Sequence, residues 1–294
     1  MKITEKIKKP ITQELKIFEK QFYSSVSSKV KLLDLILIYI LNRKGKQIRP
    51  ILVLLFAKMF SKGALNEKSY RAANLVELIH TASLIHDDIV DDSNIRRNFL
   101  TINALWKNKI SVLVGDFFLS KALLLSTENK DYDLLNEVST AVKEISEGEL
   151  FQIQKSKNFN LSEEDYILLI SKKTASLFSC CCKLGSISSG KNDLDDIEAF
   201  GNYLGIIFQI KDDLFDGIAG FFGGRLGRNR HVHHDCAPEH HDEHAKHDEG
   251  TVGACGRAFF ALGGTAAGAF VSFRARRAET AAGGLVVGIV VIAT

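Results

Sequence analysis

Apolar residues recur at three- and four-residue spacing through most of the first 216 positions, and the whole chain has only three prolines. That period turns one face of a helix toward a core. It predicts helices over about 11–26, 29–43, 48–60, 67–92, 101–128, 131–152, 163–189 and 193–216, joined by short polar loops. Asp193 is the candidate N-cap of the last. No stretch alternates apolar and polar residues over a strand's length. Many helices with short connections predict a single all-α bundle.

Composition then divides the chain. Residues 1–216 hold 25 lysines and 5 arginines, whereas 217–294 hold 1 lysine, 7 arginines, 14 of the 22 glycines and 7 of the 9 histidines. Lys, Ile and Asn come from AT-rich codons, and Gly, Ala and Arg from GC-rich ones. A frameshift in an AT-rich gene would keep its bias, so a splice to foreign sequence at Gly217, natural or artefactual, explains the change better. The expected layout is a domain over 1–216 and an anomalous, poorly ordered tail over 217–294. The tail's His tract, from His231 to His247, has no ligand spacing of a closed metal site, and only adventitious metal affinity is expected of it. Its apolar stretches, about 258–273 and 281–294, fall short of the roughly 20 residues that span a bilayer.

The formal charge of +3 leaves no nucleic-acid footprint. Met1 to Lys20 has no signal-peptide core. Five cysteines, three of them adjacent at Cys180 to Cys182, make no disulfide framework, so a cytoplasmic setting is expected.

The candidate chemistry lies in two acid clusters of one design, Asp87-Asp88-Ile89-Val90-Asp91 and Asp212-Asp213-Leu214-Phe215-Asp216. On a helix, carboxylates at i and i+4 stack and the one at i+1 lies beside them. Both clusters sit in apolar runs, where unpaired carboxylates are costly, so cations must accompany them. Oxygen donors without nearby Cys or His ligands point to magnesium bridging carboxylates to a phosphate substrate. Arg96 and Arg97 follow the first cluster and can grip phosphate through forked hydrogen bonds. Taken alone, they are equally a basic loop after a solvated helix end. Lys46 and Arg49 precede an apolar helix, His80 and His86 lie near the first cluster, and Lys172-Lys173-Thr174 lies farther along. Each of these by itself reads as a capping loop, a satisfied core histidine or a solvated face.

In combination the chain resembles the trans-polyprenyl diphosphate synthases over roughly residues 10–216. The likeness rests on GKQIRP at 45–50, LIHTASLIHDDIVDDSNIRR at 78–97 and LTINALWKNKISVLVGDFFLSKAL at 100–123. It continues through SEGELFQIQ at 146–154, KKTASLF at 172–178 and GIIFQIKDDLFD at 205–216. The resemblance implies the isoprenoid synthase helical bundle with a central cavity. It implies that Lys46, Arg49 and His80, helped by Arg97, bind isopentenyl diphosphate, while Arg96, Lys173 and Thr174, with Gln209 nearby, hold an allylic diphosphate. Asp87, Asp91 and Asp212 would coordinate Mg2+, with Asp88, Asp213 and Asp216 completing or supporting the shells. The allylic C–O bond would break, the cation would be captured by the second double bond, and proton loss would complete a five-carbon extension in a site that excludes water.

In short-chain members, aromatics four or five residues before the first Asp floor the product channel. Here Ser83 and Ala82 stand there, so a long, quinone-side-chain product is expected. A homodimer is implied too, meeting membranes only through its lipid product. The family's loop lysine and later helices have no counterpart after Asp216, so low stability or activity is expected. The alternatives are a non-catalytic partner subunit, an inactive remnant, or a terpene cyclase; the second Asp-rich cluster and the Lys46/Arg49 pair speak against the cyclase.

Overall fold

The computed structural model describes residues 3–43, 45–61, 63–96, 99–156 and 162–224. The chain order begins with α1 (Ile3–Lys8), a 3-10 turn (Lys9–Ile11), α2 (Thr12–Ser25), α3 (Lys31–Leu41), α4 (Ile48–Phe60) and α5 (Glu67–Val90). A small hairpin follows, β1 (Ile95–Arg96) and β2 (Phe99–Leu100), then α6 (Ile102–Glu128) and α7 (Tyr132–Ser156). The remainder is α8 (Glu163–Ile170), a π-helical turn (Ser171–Ala175), α9 (Ser176–Ser188) and α10 (Asp195–Gly224). The fold is all-α, as the periodicity predicts.

The structure departs from the predicted elements at a few places. The stretch 163–189 is helical from Glu163 to Ser188, as predicted, but carries a π-helical turn at Ser171–Ala175. Ser162 caps α8 by accepting from the Asp165 N–H, and Asp165 returns a bond to the Ser162 N–H; the π turn then continues the helix into α9. The last helix begins at Asp195, so Asp193 lies before it and is not its N-cap. That helix also runs through Gly217 to Gly224 without a break. The hairpin pairs Ile95 with Leu100 and Arg96 with Phe99, too short to show an alternating pattern in sequence. α6 kinks at Lys107, whose φ of 68° and ψ of 160° fall outside helical space. Residues 225–294, with the His tract and both apolar stretches, lie outside the described residues.

The helices group into two compact units, one of Met1–Val142 with Cys180–Leu194, the other of Lys143–Ser179 with the chain from Asp195. In the first, α5 packs on α2, α4 and α6. Phe18, Leu52, Leu54, Phe56, Leu75, Leu78 and Phe118 are fully buried there. α4 is apolar almost all round, and residues Pro50 to Ala57 are all buried, which suits a central helix. The start of α5 is fixed by Asn66, which accepts from Ser69 N–H and donates to the Ser188 carbonyl at 2.8 Å.

In the second unit, Ile170, Ala175, Ile206 and Ile210 form the core, with Tyr166, Ile167 and Leu214 against it. α10 lies unusually close to α9 and the π turn. A Cβ at Gly201 would fall 2.4 Å from Ser179 Cα, and one at Gly205 2.4 Å from Ala175 Cα. Hydrogen at those two positions is what allows the backbones to approach.

Candidate functional site

The first acid cluster occupies the last turn of α5. Asp91 is the C-cap, its N–H bonded to the Asp87 carbonyl at 2.9 Å. A helix C-terminus carries partial negative charge, so carboxylates gathered there require cations. Arg96 on β1 supplies one, its Nε 3.0 Å from Asp88 Oδ1. The Asp88 backbone is also an anchor: its carbonyl accepts from Ser93 N–H at 3.0 Å and from Asn103 Nδ2 at 3.2 Å. Asp88 is buried, Asp87 half-buried and Asp91 exposed.

Among the described residues no group of three His, Cys, Asp or Glu side chains is poised to enclose a metal. The oxygen-only donor set still fits a hard cation that completes its shell with water and substrate oxygens, which is the habit of magnesium. Asp87 and Asp91 would hold it.

In the same unit Arg49, in the first turn of α4, meets His80 of α5 with Nη1 2.8 Å from Nε2. A guanidinium has only donors, so His80 Nε2 accepts, which leaves the imidazole neutral with its proton on Nδ1. Lys46 is exposed on the loop before α4, beside Gln47, whose φ is 55°. Next to the cluster, His86 stands over Gly115 of α6, where a Cβ would fall 2.2 Å from its Nε2; only glycine leaves the ring its place. Ala82 is buried and Ser83 half-buried on α5.

The second unit holds the other predicted residues. Thr174 donates to Gln209 Oε1 at 2.8 Å, and Gln209 Nε2 donates to Asp213 Oδ1 at 2.8 Å. Tyr166 donates to Asp213 Oδ2 at 2.6 Å. Each Asp213 oxygen accepts one of these bonds, so Asp213 braces α8 and the π turn against α10. Asp212 is exposed on α10 and Asp216 follows one turn later. Lys173 pairs with Glu149 Oε1 and Gln152 Oε1 of α7, both at 2.7 Å. Neighbouring Lys172 contacts Glu144 and Glu147 at 2.7 and 2.8 Å, and these bonds raise its pKa. α7 comes this close because position 148 is glycine; a Cβ there would lie 3.0 Å from Lys172 Cβ and Lys173 Cγ.

The structure therefore joins Asp88 with Arg96, Arg49 with His80, and Thr174 with Gln209 and Asp213. Arg97 lies outside the described residues. Sequence reasoning did not assign Tyr166, Glu149 or Gln152. The last two sit inside the SEGELFQIQ segment, whereas Tyr166 belongs to no motif.

An all-α protein with an Asp-rich helix end, an arginine hairpin and a Lys-Thr-bearing π turn is equipped to handle polyanionic substrates. Comparison with known proteins narrows that class. Residues 30–221 match the model of the family described as polyprenyl synthetase, and the chain belongs to that family. It is 36% identical over 227 residues to the octaprenyl diphosphate synthase of Escherichia coli K12, covering 76% of this chain and 69% of that one. It is 35% identical over 208 residues to the heptaprenyl diphosphate synthase component 2 of Bacillus subtilis, covering 70% and 59%. Among solved structures, the polyprenyl synthase from Caulobacter crescentus complexed with calcium and isoprenyl diphosphate superposes with a TM-score of 0.68 at 31% identity, over 72% of this chain and 65% of that one. The match thus spans 59–69% of these relatives' lengths. The family is one of prenyltransferases.

Proposed function

We propose that this chain elongates prenyl chains by magnesium-dependent head-to-tail condensation of isopentenyl diphosphate with an allylic diphosphate, releasing pyrophosphate and making a long all-trans polyprenyl diphosphate. The observation that carries the reading is pairing: residues that the motifs assign to one diphosphate are found bonded to one another, Arg49 to His80 and Thr174 to Gln209. Arg96 would bind allylic diphosphate beside the first cluster, and Lys173 and Thr174 are further candidates for binding that substrate. Lys46, Arg49, His80 and Arg97 would bind isopentenyl diphosphate. Mg2+, when bound by Asp87, Asp91, Asp212 and Asp216, would neutralise the departing pyrophosphate. As the allylic C–O bond breaks, the isopentenyl double bond attacks the carbon left behind, and a proton is lost from the adjacent carbon. Ala82 and Ser83, both small, favour a long product.

A homodimer fits the surface of α6. Val112, Leu113, Leu123 and Leu124 are exposed along one face. By length and composition α6 could also cross a membrane. Exposed Asp116 in the middle of that face would be costly at a bilayer centre and suits a protein interface better. We place the protein in the cytoplasm, with no nucleic-acid partner and with membrane contact only through its product. We also infer that foreign sequence begins near Gly217, which an intact mass together with resequencing of the locus would test.

The decisive assay incubates the full chain with farnesyl diphosphate, labelled isopentenyl diphosphate and Mg2+. Pyrophosphate release and long labelled prenyl products are expected, both abolished by chelation and by Asp87→Ala; Ala82→Phe should shorten the product. A dominant twenty-carbon product, one addition to the farnesyl primer, would sink the long-chain assignment, and a cyclic hydrocarbon would point to a cyclase. The name of the Bacillus subtilis relative, a component of a synthase, keeps a second reading in view. Activity that emerges only on adding a partner subunit would favour that reading over a self-sufficient homodimer.

A further inference from the structure

Arg43, just beyond α3, has no role in the reaction described above, yet it is held from three sides. Its guanidinium carbon lies 3.3 Å from the Tyr39 ring centre and 4.3 Å from that of Phe99, between two aromatic faces. Nη1 donates to the Leu100 carbonyl at 2.8 Å, and the Tyr39 hydroxyl donates to the same oxygen at 2.7 Å. Trp106 closes the group, its ring centre 5.2 Å from that of Tyr39 in an edge-on contact. Arginine suits this place because one planar group can stack and donate at once.

What these contacts grip is β2. Phe99 is the cross-strand partner of Arg96, and Arg96 is the residue that reaches Asp88 at 3.0 Å. A pair of two-residue strands has little stability of its own, so its surroundings must fix it. The base of the hairpin is tied by Thr101, whose N–H donates to the Asn94 carbonyl at 3.0 Å and whose hydroxyl donates to the Ser93 carbonyl at 2.6 Å. Arg43 and Tyr39 secure the returning strand.

We propose that Arg43 is a positioning residue: by clamping Phe99 and Leu100 it holds Arg96 in place beside the first acid cluster, and so sets the affinity for the allylic diphosphate. An arginine ordered before substrate arrives loses less freedom on binding. The proposal rests on the reading of that cluster as the allylic diphosphate site.

Calorimetric titration of the full chain, in Mg2+, with an unreactive thio analogue of farnesyl diphosphate tests it. Arg43→Ala should weaken binding about tenfold, and Arg43→Lys, which keeps the charge without the planar stack, should restore only part of that. In turnover the loss should appear in KM for the allylic substrate more than in kcat. Arg43→Ala combined with Arg96→Ala should bind no more weakly than Arg96→Ala alone, because the clamp acts through Arg96. Tyr39→Phe, which removes a single hydrogen bond, serves if Arg43→Ala fails to fold, and should give a smaller loss that also vanishes in the Arg96→Ala background. Emission from Trp106, the chain's one tryptophan, should shift to the red in Arg43→Ala as the cluster opens. Multiplying losses, or unchanged affinity in Arg43→Ala, would overturn the clamp while leaving the site reading intact. Unchanged affinity in Arg96→Ala would overturn both.

Discussion

Tyr166 shows how one hydroxyl can order a site. It donates to Asp213 Oδ2 at 2.6 Å while Gln209 holds Oδ1, so the carboxylate is fixed from both sides. Hydrogen bonds to charged acceptors are worth more than neutral ones. Tyr166→Phe should therefore lower stability by about 1–2 kcal/mol in urea denaturation. It should also loosen Gln209 and, through it, Thr174, raising KM for the allylic substrate. An unaltered unfolding midpoint would show that the bond contributes nothing. The motif made Asp213 visible in the sequence, but its hydrogen-bond partners were not. The spacing marks it as an acid that completes or supports a metal shell, and its two bonded oxygens add the bracing.

At the scale of elements, two positions decide how α10 meets its neighbours. The nearest atom that a Cβ at Gly201 or Gly205 would strike is a backbone Cα, which cannot swing aside as the end of a side chain can. Alanine is the better helix former by about 1 kcal/mol, yet overpacking costs about 1–3 kcal/mol, so Gly201→Ala and Gly205→Ala should each be net destabilising in chemical denaturation. The start of α8 responds to pH instead. The Lys155 ammonium, 2.7 Å from Asp165 Oδ2, holds that carboxyl below the usual range, with help from Ser162. A depressed folded-state value means that this contribution is complete above the ordinary Asp range and is lost as pH falls through the folded value. Asp165→Asn should thus be less stable than wild type near neutrality, and the gap should close in acid. A gap that persists at the lowest pH would assign the effect to the lost cap rather than to the charge.

At the scale of the whole molecule, the exposed leucines of α6 bear on assembly. Leu113, 69% exposed, shares one face with exposed Val112, Leu123 and Leu124, an apolar patch of the kind that marks an interface. Sedimentation should find a dimer, and Leu113→Glu should shift it to monomer. A wild-type chain that sediments as a monomer at every concentration would rule out this face as the interface.

The sequence by itself determined the helical class, the positions of most helices and the placing of both acid clusters on them. All of these are local: periodicity, caps and i, i+4 spacing depend on neighbours in the chain. Tertiary structure alone decided the rest. The bracing of Asp213 by Tyr166, the pairing of Arg49 with His80 and the clamp of Arg43 on the hairpin join groups 31 to 57 residues apart. No local pattern encodes such contacts, because each depends on which faces pack together and on glycines small enough to let them meet.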